Sequence, residues 1–116
     1  MTNKSALPLS GVRVLDFSRV LAGPWCAMVL GDLGAEVIKV EHPERGDDTR
    51  DWGMRIGATE TAYFNSVNRN KRSVCLDLKT PDGQKIARDL IRKSDIVIQN
   101  FKFGDIERLG LGYDAL

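Results

Sequence analysis

Val12-Arg13-Val14-Leu15-Asp16-Phe17, the opener Ala22-Gly23-Pro24, and Glu36-Val37-Ile38-Lys39-Val40-Glu41 read together as strand, helix, strand. The outer runs are rich in β-branched and aliphatic residues, which fit a pleated surface. Pro24 suits the first helical turn, where a missing N–H breaks no bond. Ala27, Leu30 and Leu33 predict the apolar face of that helix, and Gly34 its terminator. The spacing from first strand to second matches a right-handed βαβ unit with parallel strands.

The alternation resumes downstream. His42 to about Gly57 is longer than an ordinary strand-to-helix connection, and loops of that length are often functional. Thr61 to Val67 predicts a short helix and Ser73 to Leu78 a third strand. Thr80-Pro81-Asp82 is a strong helix start, with Thr80 as cap, Pro81 in the first turn and Asp82 favourable to the dipole. Ile86, Leu90 and Ile91 predict its buried face. Asp95-Ile96-Val97-Ile98-Gln99 predicts a fourth strand, and Asp105 to Leu109 a short helix before Gly110-Leu111-Gly112-Tyr113. The expected fold class is α/β: a Rossmann-like, open, mostly parallel sheet with flanking helices over residues 9–116, behind a polar, flexible stretch of residues 1–8. An open sheet of this kind leaves two edges needing cover, which points to a piece of a longer polypeptide.

Bulk properties narrow the function. A chain of 116 residues is one domain at most. Charged residues make up 28% and the net charge is +1, whereas a nucleic-acid binder that relies on phosphate contacts is much more basic. No apolar run approaches the roughly 18 residues that span a bilayer, and no apolar signal core follows Lys4. The expected setting is cytoplasmic, with no membrane or nucleic-acid partner. Cys26 and Cys75 are expected as buried free thiols rather than a disulfide. With one histidine, His42, neither a zinc site nor a histidine-based triad can be assembled, so no metal is expected.

Asn68-Arg69-Asn70-Lys71-Arg72-Ser73 delivers a dense cationic cluster beside the third strand, and cations there suit a ligand with phosphates. The interleaved asparagines tolerate left-handed backbone, so the segment reads as a shaped turn. The turn from Ser18 to Pro24 opens a helix at the carboxyl end of the first strand, where doubly wound sheets bind ligands and a helix N-terminus favours anions. A plain capped turn reads equally well, because Gly23, Gly31 and Gly34 do not make a dinucleotide fingerprint. Glu41, an acid ending the second strand, would contact a ribose in such a fold but lacks that fingerprint. Lys79 and Arg108, taken alone, are surface cations. Asp16, Asp47, Asp48 and Asp77 lie near strand ends without a partner base. The residues therefore lead to an α/β domain for a phosphorylated ligand, with no catalytic centre of its own.

Six blocks in order carry a family resemblance: Gly11 to Pro24, Gly31 to Glu41, Gly46-Asp47-Asp48-Thr49-Arg50 with Trp52-Gly53, Asn68 to Ser73, Asp95 to Phe101, and Leu109 to Tyr113. From about Leu9 onward the chain resembles the N-terminal part of the family III (CaiB/BaiF) CoA-transferases, which include formyl-CoA and carnitine CoA-transferases. The resemblance implies transfer of coenzyme A from an acyl-CoA to a free carboxylic acid, by an aspartate that forms a mixed anhydride and then an enzyme-bound thioester. No aspartate here matches that nucleophile, which is expected beyond Leu116; the chain alone is expected to be inactive. Family members form interlocked homodimers.

The resemblance also implies a coenzyme A or acyl-CoA site. Leu21 and Ala22 would line the pantetheine and thioester region, and His42 the adenine end. Leu76, Asp77, Leu78 and Lys79 would form a nucleotide wall. Asn100, Phe101 and Lys102 would face the coenzyme, and Arg108 its phosphates. Lys79, Lys102 and Arg108 can each make charge-assisted bonds to phosphate. Three positions depart from the family pattern. Phe103 stands where proline is common, His42 where arginine is common, and Leu21 is apolar where the oxalate-using branch carries a polar residue. Gly46 to Arg50 looks more like a dicarboxylate-handling, succinyl-CoA-dependent branch. Two alternatives stand beside transfer: the α-methylacyl-CoA racemase branch, which has glycines where Asn68 and Asn70 stand, and a non-catalytic coenzyme A or nucleotide-binding module.

Overall fold

In the computed structural model, which describes residues 6–116, strands and helices alternate along the chain. β1 (Arg13–Asp16), α1 (Ala22–Asp32) and β2 (Glu36–Glu41) form the first unit. A long connection with a 3-10 turn at Asp48–Asp51 carries α2 (Ala62–Ser66). β3 (Lys71–Cys75), α3 (Pro81–Arg92), β4 (Ile96–Ile98) and α4 (Asp105–Arg108) follow. All strand pairs are parallel, in the order β3-β2-β1-β4. The chain leaves β1 on one side to build β2 and β3, then returns through α3 to place β4 on the other side. The direction of winding therefore reverses at β1, and ligands of such sheets bind outside the strand ends at that reversal.

The register aligns Val14 with Val37 and Asp16 with Lys39, then Val37 with Lys71 and Lys39 with Ser73. Side chains alternate across a strand, so each face carries a distinct set. One face packs Leu15, Phe17, Val40 and Leu76 against Ala87 of α3, Ile106 of α4 and Leu111. The other packs Val14 and Val37 against Ala27 and Ala35, around α1. Burying each such aliphatic side chain contributes about 1.5–3 kcal/mol. Toward its carboxyl end this second face turns polar, carrying Asp16, Lys39 and Glu41, all buried.

The local signals act as predicted in several places. The Thr80 hydroxyl accepts the Gly83 N–H at 3.0 Å, with Pro81 at the start of α3. The Thr61 hydroxyl caps α2 by accepting the Phe64 N–H at 3.1 Å. Gly34 takes φ +109° just past α1, and Asn70 takes φ +64° in the turn before β3.

Other expectations are corrected. Leu33 is exposed, because α1 buries Gly23, Pro24, Ala27, Met28 and Gly31 instead and leaves Leu21, Trp25, Val29 and Leu33 along its outer side. Ile86 is likewise exposed, since α3 turns Gly83 and Ala87 inward, with Leu90 and Ile91 packed beside them. Both cysteines are exposed: Cys26 stands on the outer side of α1 and Cys75 on edge strand β3. β3 begins at Lys71 rather than Ser73, because pairing with β2 starts at Val37. Of residues 1–8, the first five lie outside the described residues; Leu7 sits against Gly34, where an added methyl would meet its Cβ at 2.7 Å.

Candidate functional site

At the carboxyl ends of the strands lies a groove of about 360 Å³. Phe17, Val40, Leu76, Phe101 and Leu109 wall it, and Arg19, His42, Lys79 and Arg108 stand around it. Phe17 and Phe101 contact each other with ring centroids 6.4 Å apart, and the Arg19 guanidinium lies 5.4 Å from the Phe101 centroid. The Asp77 carboxylate accepts the Lys79 N–H at 3.0 Å and so shapes the exit from β3. Arg108 pairs with Asp105 one turn earlier in α4, and both side chains are exposed. An exposed pair of this kind is worth about 0–1 kcal/mol, so little opposes turning Arg108 toward an anion. Apolar walls ringed by exposed cations suit a ligand with a flat apolar part and phosphates.

The structure brings His42, Leu76, Asp77, Leu78, Lys79, Phe101 and Arg108 together around this groove. Leu21, Ala22, Asn100 and Lys102 stand on the adjoining turns outside its lining. The Asn100 amide is engaged at both ends: its Oδ1 accepts the Arg19 N–H at 3.0 Å and its Nδ2 donates to the Arg19 carbonyl at 2.7 Å. Sequence reasoning passed over Phe17, Arg19, Val40, Asp105 and Leu109 as groove residues. The signal for Phe17 and Val40 was present, because alternation along each strand puts both on one face at the strand ends. Leu109 and Asp105 carried no comparable signal, since only the packing of α4 brings them there.

A second hollow, of about 420 Å³, lies across Glu41 and His42 from the first. Its Arg50 is committed: Nε and Nη2 reach the two Glu41 carboxylate oxygens at 2.8 Å each. Glu41, the acid that would hold a ribose in a dinucleotide fold, also accepts the Asp47 N–H at 2.8 Å and a bond from Ser73. Burial pushes its carboxyl up, but the bonds from Arg50, Ser73 and Asp47 outweigh this and leave it below the ordinary 4.5. Asp47 follows the same pattern. Burial raises it, while the Lys39 charge at 2.9 Å and the bonds from Thr49 hold it below the ordinary 3.8.

The cationic cluster Arg69, Lys71 and Arg72, at the start of β3, is not a phosphate cradle. Its cations face acids of the same domain, away from the groove. Arg69 forks onto Asp32, with Nη2 2.7 Å from Oδ2, and Arg72 reaches Glu36. Lys71 is buried: its ammonium donates to Asp16 at 3.0 Å, the Pro24 carbonyl at 2.9 Å and Asn68 at 2.8 Å. Burial pulls the Lys71 pKa below 10.5, against the opposing pull of Asp16. Among the described residues no three His, Cys, Asp or Glu side chains cluster closely enough to hold a metal ion, and no helix is long and apolar enough to cross a membrane.

Residues 9–116 match the family model described as CoA-transferase family III. This chain belongs to that family. It is 53% identical over 112 residues to succinyl-CoA:glutarate CoA-transferase of Mus musculus, covering 97% of this chain and 26% of that protein. It is 50% identical to succinate–glutarate CoA-transferase of Agrobacterium fabrum, covering 94% of this chain and 29% of that protein. A CaiB/BaiF family protein from Brucella suis superposes with a TM-score of 0.87 at 47% identity, covering 94% of this chain and 30% of the other. The chain thus spans between a quarter and a third of the length of these family III proteins. The Rossmann-like parallel sheet expected from the sequence is the architecture of this part of them.

Proposed function

We propose that this chain supplies the coenzyme-binding part of an enzyme that moves coenzyme A from an acyl-CoA to a free carboxylic acid. The observation that carries this reading is the groove at the strand ends. It offers apolar walls for an adenine, and Lys79, Arg108 and Arg19 for phosphates, at the edge where the winding of the sheet reverses. His42, Leu76, Asp77, Leu78 and Phe101 border the nucleotide. Leu21 and Ala22 meet the pantetheine and thioester, and Lys102 lies near the phosphates.

The nucleophile in this reading is an aspartate outside the chain. It attacks the thioester to give a mixed anhydride and coenzyme A thiolate. The thiolate then attacks the aspartyl carbonyl, releasing the donor acid and leaving an aspartyl thioester for the acceptor acid to resolve. The 116-residue chain alone is inactive, and the active form is an interlocked homodimer in the cytoplasm that needs no metal.

The dicarboxylate-like Gly46–Arg50 block and the glutarate-using relatives favour succinyl-CoA as donor and a dicarboxylic acid as acceptor. The natural polypeptide carrying this chain should be mixed with succinyl-CoA or formyl-CoA and with glutarate, malate or oxalate, and new thioesters followed by chromatography. Glutaryl-CoA or malyl-CoA formation is the expected result. Exchange of the α-proton of a 2-methylacyl-CoA without transfer to any acid would overturn the proposal in favour of a racemase.

A further inference from the structure

Four backbone groups of the turn Ser18–Leu21, between β1 and α1, are held by side chains from elsewhere. The Lys39 ammonium, on β2, donates to the Ser18 carbonyl at 2.8 Å. Asn100, past β4, takes both polar groups of Arg19. The Asp47 carboxylate, in the long connection, accepts the Val20 N–H at 3.3 and 3.4 Å from its two oxygens. Val20 is the strained member. Its φ is +77°, a region that β-branched residues avoid and keep only where the surroundings impose it. Lys39 and Asp47 are paired with each other and closed off from solvent, with side chains 2% and 0% exposed. They reach a ligand only through the turn.

We propose that Lys39, Asp47 and Asn100 are positioning residues that clamp this strained turn, and through it set Leu21, Ala22 and the start of α1 against the thioester end of the coenzyme. This rests on the coenzyme A reading given above. Asn100 also holds the backbone of Arg19 at the groove, and His42, Leu76, Leu78, Lys79 and Arg108 of its lining come from the ends of β2 and β3 and from α4, while the Lys39–Asp47 pair stands outside that lining. Losing it therefore misplaces the reacting end while the nucleotide still binds, and a small misplacement is enough to slow a reaction steeply.

The test uses the natural polypeptide with Asn100→Ala, Asp47→Asn, and Asp47→Asn combined with Val20→Gly. Asn100 lies at the surface, so its removal leaves groups that water can satisfy. Adenosine 3′,5′-bisphosphate binding is measured by calorimetry, and kcat and KM with the acyl-CoA that the enzyme turns over best. Both single variants are expected to lose about tenfold or more in kcat, and Asp47→Asn, which leaves Asn100 and Arg19 in place, to keep the bisphosphate Kd within about twofold. Adding Val20→Gly to Asp47→Asn should recover part of that loss, because glycine holds a positive φ unaided. Loss of bisphosphate affinity in step with kcat in Asp47→Asn would show a merely structural role, and unchanged kcat in both single variants would overturn the clamp. A wild-type protein that binds neither the bisphosphate nor coenzyme A would overturn the coenzyme reading itself.

Discussion

Replacing Lys71 by methionine keeps the side chain's length and removes its charge. In the native chain the ammonium has three partners: Asp16 at 3.0 Å, the Pro24 carbonyl at 2.9 Å and Asn68 at 2.8 Å. The side chains of Lys71 and Asp16 are 2% and 0% exposed. Without the amine, Asp16 keeps its bonds from Ser18 through one oxygen, while the other is left buried and charged with no hydrogen-bond partner. Breaking a buried pair from one side costs about 3–5 kcal/mol. Burial of the ammonium is itself unfavourable, as the lowered Lys71 pKa indicates, so the loss should lie near the lower figure, about 3 kcal/mol. That is a large share of the roughly 5–15 kcal/mol that holds a domain together. Adding Asp16→Asn removes the stranded charge and should return about 1–2 kcal/mol. Urea unfolding of the chain, followed by both far-ultraviolet circular dichroism and tryptophan fluorescence, measures these differences where the two probes coincide. A loss under about 1 kcal/mol for Lys71→Met, or strictly additive effects in the double variant, would refute the reasoning.

Three further outcomes are expected. Arg108→Ala should weaken coenzyme A binding by the natural polypeptide by about 1–3 kcal/mol in calorimetry, from losing a charged hydrogen bond; unchanged affinity would remove Arg108 from the phosphate site. Glu41 and Asp47 have folded pKa values below their ordinary 4.5 and 3.8. Their stabilisation is therefore complete above those values and lost as pH falls through the folded ones. The urea midpoint should drop on acidification below about pH 4.5, and Glu41→Gln should shrink that drop; an acid dependence identical in the variant would contradict it. Gly83→Ala would ordinarily stabilise a helix by about 1 kcal/mol. Here the new methyl would stand 1.9 Å from the Asp77 carbonyl oxygen, so a net destabilisation of about 1–3 kcal/mol is expected in urea unfolding, and stabilisation would refute it.

The architecture was legible because its signals are local. Two aliphatic runs flank a helix opened by Pro24, and Thr80-Pro81-Asp82 starts another. Each acts through its own backbone, whatever packs around it. Leu76 to Lys79 and His42 were named by the family resemblance rather than by local signals, and the strand ends bring them together. The charges could not be read in the same way. Arg69, Lys71 and Arg72 look alike in sequence, but their partners Asp32, Asp16 and Glu36 lie 36 to 55 residues away.

From composition and spacing alone follow the parallel sheet and the order of its elements along the chain; the motif blocks carry the resemblance to the family. Only the fold decides which cations stand exposed at the groove. Lys79 and Arg108 stay at the groove, whereas Lys39, Lys71 and Arg50 are consumed by buried acids. The reason is desolvation: a charge enclosed by the sheet must find an opposite charge there, and long-range register determines which one comes within reach.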